Sequence, residues 1–280
     1  KDKTKNMNNL EAYKMDGLGN DFIIFDKREK PLSLSKEQII KISDRNNIGC
    51  DQVIFIDKDK SSNTFLKFYN SDGGEIAACG NGSRCVAYIL GKEKNKNKIS
   101  LRTHERTIDA EIVGNLSVKI NMGKPIFDWQ KIPISKEIDY KNINLNFETN
   151  KFEFKNGFAL NMGNPHIVFF RKNCFDYNLE ELGPAIENHN LFPEKCNVTL
   201  AQIIDRGNIL VNVWERGSGL TKACGTAACA TVVAGYLKGL VERKSNIKFK
   251  EGILNLHFSE EENVYMTGPV SEIKEINVKI

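Results

Sequence analysis

Short apolar runs separated by polar turns dominate this chain, and they read as strands more often than as helices. Residues 65–69 and 210–214 are strand-like apolar runs, and further strands are expected over 50–56 and 197–204. A Gly-Asn turn opens a strand at Gly19-Asn20 and another at Gly163-Asn164. Helices are fewer. Ser35 is placed to cap one over 36–45, a second begins near Asn178, and apolar helices are expected over 84–90 and 228–240. Strand-rich segments at 108–122 and 253–266 follow those apolar helices, and residues 124–156, rich in Asn, Lys and Pro, are expected to cross between two halves. Strands and helices mix without regular βαβ alternation, so the class expected is α+β.

The pattern repeats. Ala78-Cys79-Gly80-Asn81-Gly82 returns 145 positions later as Ala223-Cys224-Gly225-Thr226-Ala227. The same offset lays Asn70 on Glu215, Gly74 on Gly219, and the run 65–69 on 210–214. Near the start of each half, Gly19-Asn20-Asp21-Phe22-Ile23-Ile24-Phe25 faces Gly163-Asn164-Pro165-His166-Ile167-Val168-Phe169, 144 positions apart. Three blocks in one order, at offsets differing by one, indicate a duplicated domain whose halves are related by a pseudo-twofold axis. The first repeat is expected to span 1–124, completed by 268–280, and the second 125–267.

Composition narrows the class without choosing a function. Hydrophobic residues make 40% of the chain and charged residues 27%, the balance of a globular protein with real cores. The net charge of +4 is interleaved along the sequence and leaves no footprint for nucleic acid or an anionic membrane. No apolar stretch is long enough to span a bilayer. Residues 1–9 are polar, lack the apolar core of a secretory signal, and read as a frayed terminus with Met7 as the candidate start. Seven irregularly spaced cysteines suit free thiols in a reducing cytoplasm. A metal site is not expected, because there is no C-x-x-C pair and His104, His166, His189 and His257 are far apart in sequence.

The candidate chemistry lies in the repeated turns. A glycine follows each cysteine and a helix follows at once, which sets Cys79 and Cys224 at helix N-termini. Unpaired N–H groups and the positive dipole end there favour anions. The thiols are therefore expected to have lowered pKa values, and the same N–H groups to suit a substrate carboxylate. Cys50, Cys85, Cys174, Cys196 and Cys229 are better explained by packing. Two opposed thiols suit a reaction that takes a proton from one face of a carbon and returns one to the other. A cysteine hydrolase with His166 as base would leave the second thiol turn unexplained. Asp72-Gly73-Gly74 and Gly217-Ser218-Gly219 fit neither nucleotide-binding pattern, and Lys222 is a weak signal for a Schiff base.

At these residues the sequence resembles diaminopimelate epimerases over most of its length. The matching segments include Met15-Asp16-Gly17-Leu18-Gly19-Asn20-Asp21-Phe22, Gly49-Cys50-Asp51-Gln52, Asn70-Ser71-Asp72-Gly73 and Ala78-Cys79-Gly80-Asn81-Gly82-Ser83-Arg84-Cys85. Later come Gly163-Asn164-Pro165-His166, Trp214-Glu215-Arg216-Gly217, Ala223-Cys224-Gly225-Thr226 and Met266-Thr267-Gly268-Pro269. One departure is Ala227, where the family usually has Gly. The resemblance implies two domains, each a curved mixed or antiparallel sheet around a central helix, with the active site in the cleft. It implies reversible conversion of LL-diaminopimelate to the meso isomer for lysine and cell-wall precursors, without pyridoxal phosphate or metal, and suggests a cytoplasmic homodimer. By motif, the substrate contacts it implies are Asn20, Gln52, Asn70, Gly80 and Asn81 in the first half. In the second half they are Asn164, Asn197, Glu215, Arg216, Gly225 and Thr226, with His166 and Glu215 tuning the thiols.

Three other readings stand beside it. A proline or hydroxyproline racemase would share the duplication and the thiol pair, but Ala-Cys-Gly-Asn and Lys-Ala-Cys-Gly-Thr resemble the diaminopimelate enzymes more. A phenazine-biosynthesis-type isomerase would lack the pair. A non-catalytic amino-acid-binding protein would bind without turnover.

Overall fold

The computed structural model describes residues 9–61, 64–77, 79–147 and 153–280. Residues 1–8, which hold Met7 and all of the expected frayed terminus except Asn9, and Ala78 of the first motif lie outside the described residues; Asn9 is not frayed but opens the first strand, opposite Lys279. Contacts group the chain into two compact units, Lys1–Ile120 with Gly268–Ile280, and Asn121–Thr267.

The first unit runs β1 (Asn9–Gly17), β2 (Asn20–Asp26), α1 (Lys36–Ser43), β3 (Gln52–Asp57), β4 (Phe65–Asn70) and β5 (Glu75–Ile76). It continues with α2 (Gly80–Lys94), β6 (Lys98–Arg102), β7 (Thr107–Gly114) and β8 (Ser117–Asn121). β1 pairs antiparallel with β2, β2 parallel with β3, β3 antiparallel with β4, and β4 parallel with β6. β6, β7 and β8 then pair antiparallel in turn. On its outer side β1 takes Lys274–Lys279, the last strand of the chain, antiparallel.

The second unit runs β9 (Ile143–Asn146), β10 (Glu153–Asn161), β11 (Pro165–Phe170), α3 (Leu179–Glu187), β12 (Asn197–Asp205), β13 (Asn208–Glu215) and β14 (Gly219–Leu220). After it come α4 (Gly225–Leu237), β15 (Lys244–Phe249), β16 (Gly252–Phe258) and β17 (Val264–Pro269). Strand for strand, order and direction match the first unit. β9 and β10 pair antiparallel, as do β10 and β11, β11 and β12 are parallel, β12 and β13 antiparallel, and β13 and β15 parallel, with antiparallel β16 and β17 beyond.

Burial explains the hydrophobic pattern. β2 and β3 are covered on both faces, so their apolar residues run without alternation. Ile23, Phe25, Val53 and Phe55 pack with Ile39 and Ile42 of α1. On the other face, Phe22, Ile54 and Phe68 close on Gly82 of α2, where an added Cβ would sit 2.6 Å from Ile54 Cδ1. β6 is covered on one face only, burying Ile99 and Leu101 while Lys98, Ser100 and Arg102 stay exposed. α2 is buried continuously from Asn81 to Gly91, and α4 from Ala227 to Gly235. A helix without a polar face must be enclosed. α2 packs on β1, β2, β6 and β7, strands from both sides of the sheet order, and α4 on β10, β11, β12, β15 and β16. Each sheet therefore curves about its helix.

Boundaries shift for local reasons. α2 begins at Gly80 rather than 84, because Cys79 already caps it, and it continues to Asn95, a left-handed cap at φ 49°. α4 ends at Leu237 rather than 240, because Gly239 takes φ 75°. The expected crossover at 124–156 contains β9, which pairs with β10 in the second sheet. In the fold its residues alternate, Ile143 and Leu145 buried and Asn144 and Asn146 exposed. The two asparagines disguised it as loop. Residues 148–152 of that segment lie outside the described residues.

Candidate active site

In the first unit the candidate residues collect where three strands meet the start of α2. Asn20 opens β2, Gln52 opens β3, and Asn70 closes β4, with Phe22, Gln52 and Asn70 in register. The amides tie these ends together. Gln52 Nε2 donates to Asn70 Oδ1 at 3.2 Å, and Asn81 Nδ2 donates to Asn20 Oδ1 at 2.8 Å. Cys79 caps α2 in an extended conformation, φ −148° and ψ 116°, and its Sγ accepts from the Gly82 N–H at 3.4 Å. The sulfur thus faces the unpaired N–H groups of the first turn.

The second unit assembles the equivalent corner. Pro165-His166 opens β11, Asn197 opens β12, and Glu215 closes β13, with His166 opposite Asn197. Cys224 caps α4 at φ −141° and ψ 112°, nearly the geometry of Cys79. Ala227 therefore leaves the second turn undistorted, and it is buried at 1% exposure. A relay of polar groups runs to the sulfur. His166 Nε2 lies 2.7 Å from Asn164 Oδ1, Asn164 Nδ2 donates to Thr226 Oγ1 at 3.3 Å, and Thr226 Oγ1 lies 3.6 Å from Cys224 Sγ. Asn197 holds the turn beyond β13, accepting from the Arg216 N–H at 2.8 Å and donating to Pro165 O at 2.9 Å. The Arg216 guanidinium donates to Glu194 O at 3.1 Å.

The electrostatics correct one expectation. Helix placement alone lowers a thiol pKa, yet Cys224 is pushed up from 9.0 to about 12. Burial is the main cause and the Glu215 carboxylate adds to it, while the Thr226 hydroxyl and the N–H groups of Ala227 and Thr226 oppose. At 9% exposure the sulfur has lost most of its water, and one helix turn does not replace it. Glu215 is itself raised by burial against a hydrogen bond from Thr221. His166 is fully buried, and desolvation, helped by Arg216, lowers it to about 3. The imidazole is thus neutral, Nε2–H donates to Asn164, and Nδ1 is a buried acceptor with no partner among the described residues. Gln52 Oε1 is another such acceptor.

Sequence reasoning passed over three residues. Asp51 accepts from Asn20 Nδ2 at 3.3 Å and from the Asp21 N–H at 3.1 Å. Glu187, at the end of α3, accepts from Trp214 Nε1 at 2.9 Å and from the Gly217 N–H at 3.1 Å, fixing the turn that carries Glu215 and Arg216. Arg84 donates to Asn81 Oδ1 from the interior of α2. Asp51 and Arg84 stand in the matching segments Gly49-Cys50-Asp51-Gln52 and Ala78-Cys79-Gly80-Asn81-Gly82-Ser83-Arg84-Cys85 without a role attached to them, and Glu187 stands in none. None of the seven cysteines is in a disulfide, and no group of metal-ligating side chains occurs among the described residues.

A family model described as diaminopimelate epimerase matches residues 12–127 and again residues 158–273. The chain is 50% identical over 272 residues to a diaminopimelate epimerase of Pelagibacter ubique (strain HTCC1062), covering 97% of this chain and 99% of that one. It is 38% identical to a diaminopimelate epimerase of Wolbachia sp. subsp. Brugia malayi (strain TRS), covering 94% and 99%. Among solved structures, a putative phenazine biosynthesis PhzC/PhzF protein from Clostridium difficile (strain 630) is similar at a TM-score of 0.67 and 13% identity, covering 97% of this chain and 100% of that one. A hydroxyproline epimerase from Agrobacterium vitis gives 0.61 at 12% identity, covering 97% and 93%. At such identities these two likenesses concern the fold alone.

Proposed function

The chain belongs to the diaminopimelate epimerase family and is an isomerase acting on an amino acid; from that premise we propose that it interconverts LL- and meso-diaminopimelate with two thiols, Cys79 and Cys224, and no cofactor. In that role it serves lysine biosynthesis and the supply of cell-wall precursors. The observation that carries the reading is the pair of cysteine caps. Cys79 and Cys224 open the buried helix of two segments that each match the family model, in the same backbone conformation. A racemase of proline would need only one carboxylate bound, whereas this chain carries Arg216, next in sequence to the Glu215 whose carboxylate acts on Cys224, as a fork for another.

The chemistry follows from the residues. An α-proton beside a carboxylate is weakly acidic, so donors fixed around that carboxylate must stabilise the charge that develops on deprotonation. The first-turn N–H groups at Gly80 and Asn81, and at Gly225 and Thr226, supply such donors. Asn20, Gln52 and Asn70 in the first repeat, with Asn164, Asn197, Glu215 and Arg216 in the second, would orient the two ends of the substrate. One thiolate removes the proton and the other thiol returns one to the opposite face. Burial keeps Cys224 protonated in the unliganded protein, which suits it to start as the acid. Glu215 favours that state, and His166 completes the tuning as a neutral partner. Positioned proton transfer contributes about 10²–10⁴-fold, so the fixed donors and exclusion of water must supply much of the rest.

The reading includes the repeat boundaries, 1–124 with 268–280 and 125–267, supported by the pairing of Lys274–Lys279 with β1. Its test is turnover by protein dialysed against a chelator and stripped of pyridoxal phosphate. Conversion of LL-diaminopimelate to the meso isomer should proceed at the untreated rate. A rate that returned only on adding a metal or pyridoxal phosphate would overturn the cofactor-free reading.

A further inference from the structure

The proposed mechanism leaves one buried charge unused. Arg84 lies within α2 at 0% exposure, and among the described residues no carboxylate pairs with it. Its Nη2 donates to Asn81 Oδ1 at 2.5 Å, its Nε to Pro269 O at 3.5 Å, and its Nη1 is buried without a partner among the described residues. A guanidinium cannot shed its proton in a protein, and burying it unpaired is strongly unfavourable. Packing alone does not account for it, since methionine would fill similar space at no electrostatic cost.

The placement of the charge is informative. Helical side chains lean back toward the N-terminus, and the bond to Asn81, three residues earlier, sets the guanidinium over the turn that Cys79 caps. Arginine only donates, so Asn81 must present its oxygen to Arg84 and its Nδ2 to Asn20, which is the arrangement observed. Asn20 in turn donates to Asp51. Arg84 thus fixes which way the Asn81 amide points.

The surroundings hold little charge to compete. Cys85 and Cys79 are the ionisable groups whose negative forms act on Arg84. Among the strands packed on α2, β1 brings Asp16, exposed and acting on Cys85. Lys14 of β1 and Asp21 of β2 pair with each other. The buried side chains on β2, β6 and β7 include Phe22, Leu101 and Ile108. The second repeat differs: 145 positions on, Cys229 stands where Arg84 would be, and the carboxylate of Glu215 acts on Cys224 instead.

We propose that Arg84 is the positioning residue of the first thiol, orienting the Asn81 amide and holding a fixed positive charge behind Cys79 that favours its anionic form. The second repeat has no counterpart. The inference rests on the proposed function only in taking Cys79 and Asn81 as site residues.

The test is the rate at which iodoacetamide labels Cys79 in the unliganded protein, read by peptide mass spectrometry from pH 6 to 10, beside steady-state kinetics and thermal melts. In the wild type, Cys79 should label well ahead of Cys224 at pH 7.5; equal labelling would overturn the proposal without any variant. In Arg84→Met the labelling at pH 7.5 should fall on the order of tenfold and its midpoint move to higher pH, while the melting temperature holds or rises. Arg84→Lys keeps the charge and loses the fork, so labelling should stay near wild type while KM rises. An Arg84→Met protein that folds and labels Cys79 like wild type would refute the role of the charge, and unchanged KM in Arg84→Lys the role in orientation. Labelling needs no substrate, so an inactive wild type would sink the proposed function alone.

Discussion

Cys224 offers the clearest quantitative test of the site's electrostatics. With its pKa moved from 9.0 to about 12, only about one sulfur in 10⁴ is thiolate at pH 8, against about one in ten for an ordinary thiol. Alkylation proceeds through the thiolate, so labelling of Cys224 at pH 8 should be about a thousandfold slower than that of an unperturbed thiol. Poor access would also slow it, and the pH dependence separates the two causes. Obstruction scales the rate equally at every pH. A raised pKa makes the rate climb about tenfold per pH unit from 7 to 10 with no plateau. The perturbation is Glu215→Gln, which removes the carboxylate that adds to the shift and should speed labelling while leaving burial in place. Since burial is the larger cause, the gain should be smaller than the thousandfold deficit. The assay is isotope-coded alkylation quantified on the Cys224 peptide of unliganded protein. A plateau below pH 9.5 would refute the reasoning, as would slower labelling in Glu215→Gln.

His166 should make the second unit acid-sensitive. Its folded pKa, about 3, lies below the ordinary 6.5, so the unfolded chain binds a proton that the folded one refuses, and stability falls as pH drops below 6.5. Between pH 7 and 5.5 the wild type should lose about 1.3 kcal/mol more than His166→Asn in urea titrations; equal losses would mean that the imidazole is already charged when folded. Arg216→Lys should raise KM for diaminopimelate sharply with a smaller change in kcat, because an ammonium cannot reproduce a two-pronged carboxylate contact. Steady-state kinetics check this, and unchanged KM would place the clamp elsewhere.

How much of this was legible in the sequence depended on range. The duplication was visible because Ala-Cys-Gly recurs with its flanking strands, and the family model matches the chain twice, with its segments starting at 12 and 158. Strands β2 and β11 announced themselves as unbroken apolar runs because helices cover both their faces. Short β9 did not, because two exposed asparagines stand between its buried residues. Cap geometry was local and therefore readable at Cys79 and Cys224. The direction of the Cys224 shift was not, because burial is set by residues that enclose α4 from far along the chain, and it outweighs the first turn. The same holds for Glu187, whose carboxylate meets Trp214 and Gly217 only once α3 packs on β13 and β14.

The central claim is that each thiol serves one face of the α-carbon. α-Hydrogen exchange in heavy water, followed by NMR for Cys79→Ala and Cys224→Ala with each pure isomer, tests it most directly. Each variant should lose epimerisation yet exchange the α-hydrogen of one isomer with retention, and the two variants should prefer opposite isomers. Inversion at near wild-type rate by either variant would contradict the claim and return one of the two cysteine caps to a purely structural role.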